Sequence, residues 1–196
     1  MLGSITPLGE RGRGSRWGLT VAAFVLASTM AGALLGLLLG AVGSAAGIGG
    51  SAAALWVLAG ALLLGLVVEA APLGLRLPTV ERQVDDQWLY RYRGWVTGAG
   101  FGFQLGLGMV TIVTTALTYV AFLAAALSGS GAAGALVGGV YGGLRGATAL
   151  LSARVDTPDR LARLEGWIRR WDPTARRVSV VVQAMLAAAA IAVILS

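Results

Sequence analysis

Residues 18–43 read GLTVAAFVLASTMAGALLGLLLGAVG, twenty-six residues without one charge. A helix needs about 20 mostly apolar residues to cross the ~30 Å hydrocarbon core of a bilayer. In lipid a spanning segment must satisfy its own backbone, which a helix does. This stretch predicts a transmembrane helix. Four more stretches qualify on either side of the middle of the chain: 51–73, 96–127, 132–152 and 178–195. The sequence thus predicts an all-α integral membrane protein with five transmembrane helices. Residues 1–17 form a basic cytoplasmic segment, and 18–196 form a single helical membrane domain.

Composition agrees with that class. Of 196 residues, 57% are hydrophobic and 12% are charged. Soluble domains carry about 25% charged residues. A water-soluble globule is excluded on that ground, and disorder needs low hydrophobicity. There is no Cys and no His. Disulfides, thiolate metal sites and thiol chemistry are therefore excluded, as is the usual neutral-pH base. No metal and no cofactor is expected. All fifteen basic residues are Arg, and with the abundant Ala and Gly this suggests a GC-rich bacterial genome.

Arg placement sets the expected orientation. Arg11, Arg13 and Arg16 precede the first span. Arg76, Arg82, Arg91 and Arg93 lie between the second and third, and seven Arg between 154 and 177 lie before the last. The loops 44–50 and 128–131 are uncharged. Five spans put every basic loop on one side, with the N-terminus cytoplasmic and the C-terminus outside, as the positive-inside rule requires. The net charge of +6 is then a membrane pattern, and nucleic acid is not an expected partner. The expected location is the bacterial inner (plasma) membrane. A signal peptide is not expected, because the first apolar run exceeds the ~7–15 residues of a signal core. The third segment is too long for one simple span: thirty-two residues would reach about 48 Å. It reads as one span preceded by a Gly-rich half-helix or re-entrant stretch over 98–108.

Two loops are expected on the bilayer surface. Thr157-Pro158-Asp159 is a helix start. Leu161, Leu164, Trp167, Ile168 and Trp171 then share one face, opposite Arg163, Arg169 and Arg170, until Asp172-Pro173 closes the helix. This predicts an interfacial amphipathic helix near 158–171. It is either a docking surface or a connector. Trp88, Trp95, Trp167 and Trp171 are the expected interface anchors, with Tyr90 and Tyr92 beside the first two.

Glycine recurs every four residues in three rows: Gly32, Gly36, Gly40; Gly94, Gly98, Gly102, Gly106; and Gly134, Gly138, Gly142, Gly146. Spacing of four keeps each row on one helix face, where small residues let backbones approach. The rows serve packing within the chain or a homo-oligomer. Charges at membrane depth are functional candidates, and Glu69 and Arg145 qualify. They either pair with each other or sit at the interface. Thr97, Gln104, Thr111, Thr115 and Thr118 fall on a narrow arc of the third segment, a candidate substrate path with Tyr141 and Gln183 as weaker members. The bland alternative is that each Thr bonds its own helix. No Walker loop, dinucleotide fingerprint or carboxylate pair is present, so no catalytic residue is assigned and the chain is not expected to be an enzyme.

From about residue 51 to 196, the order of features resembles the transmembrane module of the cytochrome c biogenesis CcdA/DsbD family. The resembling parts are ALWVLAGALLLGLV, GFGFQLGLGMVTIVTTALTYVAFLAAALSGS and GALVGGVYGGLRGATALL, then a basic loop and a terminal apolar helix. In that family two helices carry redox cysteines. The matching zone here, Val110 to Thr115, holds none. The resemblance implies a non-redox relative turned to small-solute transport or to an accessory role. Transport across the plasma membrane is the first expectation. A non-catalytic accessory or assembly subunit of a membrane complex is the second. Expected partners are the lipid bilayer and either a second copy or another membrane subunit.

Overall fold

A computed structural model describes residues 5–70, 92–108 and 116–195. Among these the chain forms seven α-helices and no strand. They are α1 (Pro7–Gly12), α2 (Trp17–Ala45), α3 (Ala52–Ala70), α4 (Gly94–Gly106), α5 (Leu117–Leu127), α6 (Gly131–Ala147) and α7 (Pro158–Leu195). A 3-10 turn, Thr148–Arg154, follows α6. Among the described residues, three helices are long and apolar enough to cross a membrane: Trp17–Ala45, Ala52–Glu69 and Pro158–Leu195. Large apolar side chains such as Leu26, Leu34, Leu136 and Leu144 point outward. In water such a surface would aggregate; facing lipid it is the solvent-matched outside.

Helix α2 is the hub. On one side it meets α6, running antiparallel. A Cβ on Gly36 would lie 2.0 Å from the Gly134 carbonyl oxygen, and one on Gly32 2.1 Å from that of Gly138. On its other side α2 meets α4, running parallel. A Cβ on Gly98 would lie 2.3 Å from the Thr20 carbonyl oxygen, and one on Gly106 2.1 Å from that of Ser28. Only hydrogen fits in either seam, so backbones themselves are the packing surface. Ser28, fully buried, ties the seams together by donating to the Gly142 carbonyl at 2.7 Å.

Helix α3 packs antiparallel to α7 and α5, around buried Leu62, Val120 and Ala187. The third apolar segment contributes two described helices, α4 and α5. Helix α4 ends level with Ser28, whereas α5 ends beside Gly43, where a Gly43 Cβ would meet the Ala126 carbonyl. Gly108 ends the first piece with φ +67°, a conformation that favours glycine.

Of the five expected spans, three correspond to described helices long enough to cross a membrane, whereas α4, α5 and α6 are shorter, α6 having 17 residues. One expectation changes. The amphipathic helix near 158–171 does not stop at Asp172-Pro173. It continues as one 38-residue helix to Leu195 with Pro173 inside. Proline removes one donor and crowds the carbonyl four residues back. Arg169 is exposed, so its freed carbonyl has room for another donor, and the helix passes through.

The N-terminal segment is folded onto the bundle. Thr6 caps α1 by accepting from the Gly9 N–H at 3.0 Å, with Pro7 in the first turn. Ile5 is buried with Val21, Phe24, Phe101 and Ala149. Ser152 donates to the Ile5 carbonyl at 2.9 Å.

Candidate functional site

Among the described residues, the densest internal polar cluster lies at the start of α5. Glu69, one residue before the end of α3, is only 8% exposed. One carboxylate oxygen accepts the Ala116 main-chain N–H at 2.7 Å. The other accepts from Ser179 Oγ at 2.8 Å and from Gln183 Nε2 at 2.7 Å. Ala116 is the N-cap residue of α5 and has no side chain with which to cap it. A carboxylate from another helix supplies the missing acceptor at the positive end of α5.

The same residue closes its own helix. Arg176 donates Nε and Nη2 to the Glu69 carbonyl oxygen at 2.9 and 2.6 Å. Carbonyls of a last turn lack partners within the helix, and a cation there also suits the dipole. Glu69 thus joins α3, α5 and α7. Ser179 and Gln183 stand one turn apart on α7, and Gln183 also bonds Ser179 at 3.3 Å. Gln183 is fully buried, with its Oε1 without a hydrogen bond. Gly65 leaves room for that oxygen, since a Cβ there would lie 2.6 Å from it.

Arg145 belongs to a different group. It does not pair with Glu69. Its Nη1 donates to the Tyr141 hydroxyl one turn earlier, and the guanidinium lies 5.7 Å from the Tyr141 ring centre. The Tyr141 hydroxyl donates to Thr118 Oγ1 at 3.3 Å, and its ring packs edge-on to Phe122 at 5.0 Å. This chain links α6 to α5. Gln104 is half-buried on α4, and Thr97 is buried, bonding back to the Arg93 carbonyl at 3.5 Å. Thr111 and Thr115 lie outside the described residues, as do Val110 and Trp88. Trp95, Trp167 and Trp171 are exposed, the last two with ring centres 5.8 Å apart.

Four polar partners escaped the sequence reading: Arg176, Ser179, Ser28 and Glu10. Glu10 is 2% exposed and holds Thr20 Oγ1 at 2.9 Å and Arg13. The signal for Ser179 was its spacing of four from Gln183 in an apolar run. Glu10 gave no signal, because it stands in a basic, Gly-rich stretch.

The architecture is that of a helical membrane-type protein whose internal polar groups are turned on one another. Two curated relatives give it a context. The chain is 36% identical over 136 residues to the methylamine utilization protein MauF of Paracoccus versutus, covering 65% of this chain and 48% of the relative. It is 30% identical over 124 residues to MauF of Methylophilus methylotrophus, covering 62% and 42%. The chain thus spans about half the length of the curated relatives it matches or less. No family model matches it, and no solved structure does.

These findings correct the CcdA/DsbD resemblance. The matching proteins are methylamine utilization proteins, and no CcdA/DsbD family model fits. The features that carried the resemblance were apolar runs, basic loops and glycines in a certain order. Any helical membrane protein needs those, and the family's own chemical mark, the paired cysteines, is missing here.

Proposed function

We propose that this protein is a non-catalytic accessory or assembly subunit of a membrane complex serving methylamine utilization in a bacterial plasma membrane. The observation that carries the reading is the 36% identity over 136 residues to a methylamine utilization protein. The site geometry supports the same side. A broken helix at membrane depth is where a transporter would hold its substrate. Here the half-helix end at Ala116 is occupied by the chain's own Glu69, which Ser179 and Gln183 hold in turn. Transport, the first expectation, leaned on the CcdA/DsbD resemblance, which the relatives do not support.

Five crossings with a cytoplasmic N-terminus remain part of the proposal. α4 and α5 then count as one broken crossing, and α6 with its 3-10 extension as another.

The test has two arms. The gene is deleted in its own host, and growth is compared on methylamine and on a substrate that bypasses it. A selective loss on methylamine, restored by the intact gene, is expected. Unchanged growth overturns the assignment. In the second arm the tagged protein is extracted from methylamine-grown membranes in mild detergent and weighed by native mass spectrometry. A stoichiometric partner chain is expected; recovery alone overturns the subunit reading.

A further inference from the structure

The second notable feature of the fold lies at the other end of α4. Helices α2 and α4 run parallel, with their first turns side by side. A Cβ on Gly94 would lie 2.6 Å from Thr20 Oγ1. Each helix starts directly after an arginine. Arg16 and Arg93 are the N-cap residues, both extended, and neither helix has a side-chain cap. N-caps are normally Ser, Thr, Asp or Asn, and the positive dipole end favours acids in the first turn. Neither first turn holds one. Two arginines therefore begin two adjacent helices, whose positive ends suit an anion.

The residues between them form a cleft of about 630 Å³, lined among others by Arg13, Arg16, Arg93, Tyr92 and Trp95. No carboxylate is among its lining residues; the nearest described one, Glu10, is buried behind Thr20 and Gly94. That charge is taken by Arg13 and by the Thr20 hydroxyl. No described residue forms an ion pair with Arg16 or Arg93. Among the described residues, the cleft keeps a positive excess. Its rim is apolar: Leu19 is 56% exposed and Trp95 46%, and Leu26 and Met30 continue outward along α2.

We propose that this cleft binds the phosphate headgroup of an anionic phospholipid, with the acyl chains lying along the Leu19–Met30 face of α2. A lipid fits better than a free phosphate because the charge stands beside an apolar track, with Trp95 at headgroup level. The proposal does not rest on the methylamine reading.

The full chain, in nanodiscs of mixed phosphatidylglycerol and phosphatidylcholine, is released into mild detergent, and its retained lipid is weighed by native mass spectrometry. Retention of phosphatidylglycerol over phosphatidylcholine is expected for the unaltered protein. The Arg16→Gln/Arg93→Gln variant should lose about tenfold or more of that preference. The Arg169→Gln/Arg170→Gln variant, with the same change in net charge, should keep it. Equal retention of the two lipids by the unaltered protein overturns the proposal, whether or not the variants fold. So does equal loss in both variants. Displacement of the retained lipid by millimolar inorganic phosphate alone overturns the lipid as occupant.

Discussion

The carboxylate of Glu69 accepts the main-chain N–H of Ala116 at 2.7 Å, so one helix's acid caps the start of another forty-seven positions away. Hydrogen bonds to a charged acceptor contribute roughly 1.5–3 kcal/mol each, above the neutral value. Glu69→Gln keeps the shape, but its amide must turn a donor toward Ala116 or toward Ser179 and Gln183. A loss of about 2 kcal/mol is expected in reversible unfolding by SDS titration from mixed micelles. Gln183→Leu should lose less, because it also removes the Oε1 that has no hydrogen bond. Equal stability of Glu69→Gln and the unaltered protein would remove the carboxylate from the role assigned to it.

The α2–α6 seam makes a sharper contrast. Gly36→Ala puts a methyl 2.0 Å from a backbone carbonyl, and no rotamer change can relieve a clash with backbone. A loss of about 3 kcal/mol, the upper end for overpacking, is expected. Gly60 stands within α3 with nothing within 4 Å of its would-be Cβ. Gly60→Ala should leave stability unchanged or raise it by about 0.5–1 kcal/mol, the ordinary helix preference for Ala. Thermal unfolding of both variants in one detergent is the measurement. Similar melting temperatures would contradict the packed seam.

The all-helical fold was legible in the sequence, since apolar length alone marks α2 and α3. The finer reading failed where a local rule was overridden by context. Asp172-Pro173 is a sound stop signal in isolation, yet α7 runs through it. The partner of Glu69 was also illegible. Sequence offered one buried-looking cation, Arg145, and charge pairing is the first guess. The bundle instead brings Glu69 to neutral donors on α7 and to a backbone N–H, and main-chain groups leave no trace in a residue pattern. Arg145 found Tyr141 one turn away, which i,i+4 spacing allows.

The N-terminal segment yields a prediction of its own. Glu10 is the acid that holds Arg13 and Thr20, and α1 rests on the bundle through Ile5 and the Leu8 N–H, which donates to the Val155 carbonyl at 3.0 Å. Glu10→Ala leaves Arg13 without that partner and Thr20 Oγ1 without its nearest acceptor. Arg11 lies within α1, and trypsin cleaves after it only when the backbone can leave its helical conformation. Cleavage in the variant should be several-fold faster than in the unaltered protein under native conditions, reflecting roughly 1 kcal/mol or more of local opening. An unchanged rate would show that the apolar contacts of Ile5 suffice by themselves to hold the segment down.

The last prediction concerns α7. Its length of 38 residues corresponds to about 57 Å, well beyond the ~30 Å of hydrocarbon. Buried positions occur only in its second half, at Ser179, Gln183 and Ala187. The first half, with Trp167 and Trp171, therefore extends past the helices that cover the second. Arg163 and Val182 are both exposed and stand nineteen residues apart. A continuous helix holds their backbones about 28 Å from each other. Spin labels at these two positions should give a single distance near that value, broadened by the label tethers. Pro173→Ala should narrow the distribution without shortening it, because restoring an N–H at 173 completes a ladder that is already followed. A separate surface helix hinged at Asp172-Pro173 would instead give a shorter, broad distribution that lengthens in Pro173→Ala. That outcome would return the Trp face to the plane of the bilayer and end the description of α7 as one rod.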